Sequence, residues 1–174
     1  MSNHKNPPSE PADHSVGRSR GGPSTKIHHL VDGRGRPLVV AVGPGQCHDG
    51  PMLPHLLEAV RVPRRGPGRP RTRPDALLAD KAYSSRATRR RLRERRITTV
   101  IPEPRDQQAN RKRRGSAGGR PVNFDKVLYK RRNLVERSFL STKHWRGLAT
   151  RYDKLAIVYR GGAVLAAIIT WLRT

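Results

Sequence analysis

The sequence predicts an α/β fold, a mixed sheet with helices packed around it. Three observations carry that prediction. Asp32-Gly33 joins two apolar stretches, a strong hairpin signal. Short apolar runs at 76–79 and 98–101 alternate with stretches of helical character. Apolar residues then recur at helical spacing from Phe124 to Phe139, and an apolar run closes the chain.

Each element has its own signal. Residues 1–24 are rich in Pro, Ser, Gly and His and lack periodicity, so they read as disordered or loosely draped. Thr25 to Val31 reads as a strand, Asp32 to Arg36 as a turn and Leu38 to Val42 as the partner strand. Asp32 is better explained as a turn residue than as a catalyst. Leu53, Leu56, Leu57 and Val60 mark a helix, with Asp49 placed to cap it. The Pro/Gly/Arg stretch 61–75 suits neither a helix nor a central strand. Its Gly68-Arg69-Pro70 core resembles minor-groove hooks that insert an Arg into narrow A·T-rich DNA. A flexible basic loop touching phosphates is the plainer reading.

Ala76 to Ala79 reads as a buried strand with Asp80 at its C-terminal end. There the strand fixes the backbone while the side chain leaves the core. Ser84 opens a helix to about Arg95 that carries Arg86, Arg89, Arg90, Arg91 and Arg93, residues suited to neutralising phosphates. Thr98 to Ile101 is a further strand, 102–119 a polar basic loop, and 124–143 one long helix. The apolar run Gly161 to Leu172 is shorter than the about 20 residues that span a bilayer, so it reads as a buried helix. Gly161 and Gly162 weaken its start by about 1 kcal/mol each relative to Ala. Residues 25–174 are thus expected to form one domain.

The chain holds 37 Lys and Arg against 13 Asp and Glu, a formal net charge of +24. Such an excess repels itself unless a polyanion is near. Nucleic acid is the expected partner, and an anionic membrane surface the alternative. Cys47 is the single cysteine. It rules out an internal disulfide and suits a reducing compartment. Cys47-His48 is an isolated pair, not a zinc pattern.

The most informative stretch is Tyr129-Lys130-Arg131-Arg132-Asn133-Leu134-Val135-Glu136, continued by Lys143. On one helix, Tyr129, Arg132, Glu136 and Lys143 fall within roughly 60° of one another. Glu136 is then embedded among cations and a phenol, as a metal ligand facing a phosphodiester is. Phe124, Leu128, Val135 and Phe139 form a neighbouring apolar arc that would pack on a sheet. An exposed amphipathic helix with a salt-bridged Glu is the competing reading.

The spacing Y-x2-R-x3-E-x6-K resembles the signature around the last acidic residue of bacterial insertion-sequence transposases of the DDE class. Further blocks resemble one branch, usually counted as the fifth insertion-sequence family. They are Gly17-Arg18-Ser19-Arg20-Gly21-Gly22, Thr25-Lys26-Ile27-His28, Val31-Asp32-Gly33-Arg34-Gly35-Arg36-Pro37-Leu38, Ala79-Asp80-Lys81-Ala82-Tyr83, Trp145-Arg146-Gly147 and Arg151-Tyr152-Asp153-Lys154. The resemblance spans about residues 11–173. It implies a ribonuclease-H-like fold and metal-dependent DNA cleavage and strand transfer with Mg²⁺ or Mn²⁺. Asp80 matches the second acidic ligand and Glu136 the third. Tyr129, Arg132 and Lys143 match DNA-contacting positions, and Arg69, Arg89 and Arg90 are further candidate DNA contacts. The implied partners are insertion-sequence ends and target DNA, with no membrane role. A functional form is implied to be a homodimer in the bacterial cytoplasm, associated with the nucleoid.

The sequence departs from the pattern in two places. No strand in an Asp-Ser/Thr context precedes Gly17 to supply the first Asp, and Asp13 lacks a strand pattern. A C-terminal part of a transposase, missing the first strand and poorly active alone, is therefore expected. Phe139-Leu140-Ser141-Thr142-Lys143 also lacks the Asn and Arg usual in mid-segment, although Lys143 is in place. A nonenzymatic basic nucleic-acid binder is the alternative. An unrelated ribonuclease-H-like nuclease is disfavoured by the several ordered blocks.

Overall fold

A computed structural model describes residues 14–173 of the chain. The class is α/β, and the chain divides into two compact units. The first unit comprises residues up to His48 together with those from Leu134 onward; the second runs from Asp49 to Asn133.

In the first unit, β1 (Gly17–Ser19), β2 (Gly22–Val31) and β3 (Pro37–Pro44) form an antiparallel sheet in that order. Among the described residues, regular structure begins at Gly17, inside the segment read as loose. Its cause is a two-residue turn that pairs Ser19 with Gly22, whose φ of +109° is open to glycine. Residues 1–13, including Asp13, lie outside the described part. The predicted hairpin forms, with Thr25 opposite Pro44 and Val31 opposite Pro37. Asp32 Oδ1 accepts from the N–H groups of Arg34 and Arg36 at 2.8 and 3.0 Å. Its Oδ2 takes the Arg36 guanidinium at 2.6 Å. Asp32 is therefore the turn residue that its sequence context implied.

Helices α5 (Asn133–Lys143), α6 (Arg146–Ala149) and α7 (Ala156–Leu172) complete this unit. On α7, Ala156, Tyr159, Ala163 and Ala166 are buried. Trp171 Nε1 donates to the Pro37 carbonyl at 2.7 Å, and Arg160 Nε donates to Val40 at 3.0 Å. The Tyr159 hydroxyl donates to Leu148 at 2.8 Å and ties α7 to α6. The apolar run was expected to be a buried helix beginning near Gly161. Instead α7 starts at Ala156, and Ile157, Val158, Leu165, Ile168 and Leu172 are exposed. Alanines at three of the four buried positions let the helix lie close on its support, and Tyr159 is the one bulky side chain buried with them.

The second unit begins with α1 (Asp49–Glu58), which buries Leu53, Leu56 and Leu57. β4 (Ala76–Leu78) and β5 (Thr98–Val100) pair in parallel across α2 (Arg86–Glu94). That arrangement is a βαβ unit, in which the crossover helix covers the strands. Leu57, Leu92, Val100 and Ile101 are its best-buried side chains. Ser85 caps α2, its Oγ accepting from Thr88 N–H at 3.0 Å. The 61–75 stretch has neither helix nor sheet strand, but it closes on itself through reciprocal backbone bonds between Val62 and Arg71 at 2.9 and 2.8 Å.

Two predicted elements differ. The basic loop 102–119 contains a helix, α3 (Arg105–Arg113). Its residues are good helix formers without Gly or Pro, yet no apolar stripe marked it. The predicted long helix over 124–143 is broken into α4 (Lys126–Lys130) and α5. Bonds from Arg131 N–H to Leu128 and from Arg132 N–H to Tyr129 tighten the end of α4 into a turn. Asn133 follows, a residue that favours helix ends over interiors. No helix among the described residues is long and apolar enough to cross a membrane.

Candidate functional site

Asp80 follows β4 directly and opens a short 3-10 turn, Lys81–Tyr83. Its Oδ1 accepts from Ala82 N–H at 2.9 Å. The carboxylate is half-buried and held by both the strand and this cap. Tyr83 lies nearby. Burial pushes its phenol well above the ordinary tyrosine range, and the negative charges of Asp49 and Asp80 add to the shift. Asp49, in the first turn of α1, therefore shares an electrostatic neighbourhood with Asp80. The spacing of the sequence gave no sign of that link, because it depends on α1 packing beside the turn after Asp80.

Glu136 sits in the first turn of α5, and Lys143 in its last. Seven residues is close to two helical turns, so these two share a face. Tyr129 and Arg132 do not continue that register. Tyr129 belongs to α4, and Arg132 to the turn after it. The stripe of four residues presupposed one uninterrupted helix, whereas the segment forms two, α4 and α5, with a turn at 131–132. Tyr129 packs against Phe124 with centroids 5.0 Å apart, and the Arg132 guanidinium lies 5.7 Å from the Tyr129 ring. Glu136 and Lys143 belong to the first unit; Asp80, Tyr129 and Arg132 belong to the second.

The apolar arc is likewise divided. Phe139 stacks on His29 at 3.8 Å between centroids, inclined by 24°. His29 is buried, its Nε2 has no hydrogen-bond partner, and burial lowers its pKa to about 4, a bond with the Val135 backbone opposing. α5 is thus anchored on β2 through an aromatic stack.

The remaining candidates separate by exposure. Arg69 lies in the exposed 61–75 loop, and Arg90 is exposed on α2. Arg89 is half-buried, and its Nη2 donates to Ser84 Oγ and to the Ile101 carbonyl, both at 2.9 Å. Burial pulls its pKa below the ordinary value, opposed by Glu103. Part of the Arg89 guanidinium is thus engaged in joining α2 to the end of β5.

A divalent cation is implied by the resemblance. Carboxylate oxygens are the right donors for Mg²⁺ or Mn²⁺. The number falls short, since among the described residues no group of three or more His, Cys, Asp or Glu is assembled.

Comparison with known proteins adds to the geometry. Residues 2–171 match the family described as the transposase DDE domain. A relative in Burkholderia cepacia, named as a transposase for insertion sequence element IS402, is 31% identical over 155 residues. That match covers 87% of this chain but 65% of the relative, so the chain spans just under two thirds of it. A second, from Brucella ovis and named for insertion sequence element IS6501, is 29% identical over 150 residues, 86% of this chain and 99% of the relative. No solved structure matches. With nearly its whole length inside the family match, the chain belongs to the DDE transposases of bacterial insertion sequences.

Proposed function

We propose that the chain acts in insertion-sequence transposition as part of a ribonuclease-H-like catalytic domain. In this reading Asp80 and Glu136 are acidic residues that serve Mg²⁺ or Mn²⁺ binding. The observation that carries it is the setting of Asp80, a carboxylate at a strand end, held by the Ala82 N–H, within a chain of this family. The bound metal supplies activation of the attacking oxygen and stabilisation of the leaving one. The chain's own residues supply position and charge. Asp80 is fixed by its cap, and Lys143 offers a cation on the face of α5 that carries Glu136. Tyr129 and Arg132 offer a ring and a guanidinium beside the DNA. A homodimer on DNA is the expected working form.

The test is Mn²⁺ binding followed by electron paramagnetic resonance. Asp80→Asn retains a good capping side chain but loses the charge, and Glu136→Gln does the same on α5. Each is expected to weaken Mn²⁺ binding at least tenfold. Unchanged binding in both single variants would leave a nonenzymatic DNA-binding protein as the better reading. On insertion-end DNA with Mg²⁺ or Mn²⁺, strand transfer undiminished in Asp80→Asn and Glu136→Gln would contradict the role given to the two carboxylates.

A further inference from the structure

The second unit contains a cleft between α2 and α3 with a built polar floor. Ser84 is buried; its hydroxyl donates to Gln107 Oε1 at 3.2 Å and its carbonyl accepts from Gln107 Nε2 at 2.7 Å. Arg89 Nη2 donates to the same hydroxyl. Glu103 takes Arg111 in a forked pair at 3.0 and 3.3 Å. The Ser84–Gln107 bonds tie the start of α2 to α3, and the other two brace each wall.

The space above the floor is about 980 Å³. Arg86, Arg90 and Arg93 line it from α2, and Arg111, Arg114 and Arg120 from α3 and the segment that follows. With Arg89, seven arginines face one carboxylate, and Arg111 already engages that group. Confining so much like charge is unfavourable until an anion enters. Arginine forks match phosphate oxygens in pairs. The lining residues include no aromatic ring, so bases have no platform on which to stack. The geometry points to a clamp that grips the phosphodiester backbone of one DNA strand from both walls, without reading its bases. A duplex presents such a backbone at its edge, and a displaced single strand presents the same chemistry. The clamp needs neither Asp80, Glu136 nor a metal ion.

Binding of the full chain to a labelled duplex and to the matching single strand, in chelator and over a range of salt, tests it. Arg90, Arg93 and Arg114 are exposed, and their joint substitution R90Q/R93Q/R114Q removes contacts from both walls. The slope of log affinity against log salt is expected to fall by about 2.7 on duplex or about 2 on single strand. The control R18Q/R20Q/R137Q removes the same charge from exposed positions of the first unit, and its slope is expected to fall by less than about one. A loss confined to duplex assigns the duplex edge, one confined to single strand assigns the displaced strand, and either upholds the clamp. Arg114→Gln alone, outside both helices, is expected to lower the slope by about 0.9 on duplex and covers the case of a triple variant that does not fold. Equal losses in the cleft and control triples, or no loss in Arg114→Gln, overturn the proposal. Because the measurement excludes metal, it is independent of the fate of the two-carboxylate reading.

Discussion

Protonation of His29 is expected to loosen the first unit selectively at mildly acidic pH. The imidazole is buried against Phe139, its Nε2 has no partner, and its pKa falls from 6.5 to about 4. The folded state therefore holds the neutral ring and binds fewer protons than the unfolded chain. The stabilisation is full above pH 6.5, is lost as the pH falls through the interval down to about 4, and levels off below it. At 1.36 kcal/mol per pKa unit, the loss is about 2 kcal/mol at pH 5 and about 3 kcal/mol at pH 4. Both tryptophans, Trp145 and Trp171, belong to this unit, so their fluorescence in urea reports its unfolding. His29→Phe keeps a ring against Phe139 and removes the titration. Its unfolding midpoint should change much less between pH 7 and pH 4.5 than that of the wild type. Equal pH dependence in the two proteins would refute the assignment.

Three further outcomes are expected. Leu92 is fully buried in the second unit, and Leu92→Ala should cost about 3 kcal/mol in denaturant unfolding followed by circular dichroism. Asp32→Ala removes the acceptor of two turn N–H groups and the partner of Arg36, which should cost about 2 kcal/mol at neutral pH. Burial alone would raise the pKa of Asp32, but Arg36 and the turn N–H groups together hold it below 3.8. The difference between variant and wild type should thus be present above that value and vanish as pH falls through the lower folded one. Arg89→Gln should lower the melting temperature by loosening Ser84 and Ile101, while moving the salt slope of DNA binding less than Arg90→Gln does.

Local chemistry made several elements legible. Asp32-Gly33 specifies its turn because the carboxylate and the adjoining N–H groups are neighbours in the chain. The strand before Asp80 was visible from a short apolar run, and the helix expected to open at Ser84 forms from Arg86, capped by Ser85. Helix α3 was not visible, because its polar residues give no stripe to read. The 124–143 segment misled for the opposite reason. Its apolar spacing fits one helix, but spacing is insensitive to a two-residue break, and a turn at Arg131–Arg132 divides the segment into α4 and α5.

The sequence by itself determined the charge, the α/β class, the hairpin and the family, since these follow from composition, local turn chemistry and ordered motifs. Only the tertiary structure decided that Arg89 lies partly buried while Arg90 faces solvent, that His29 is stacked in an apolar setting, and that α2 and α3 enclose an arginine-lined cleft. The physical reason is that burial and cavity shape arise from residues far apart in the chain, and a one-dimensional pattern does not encode which side chains meet when helices pack.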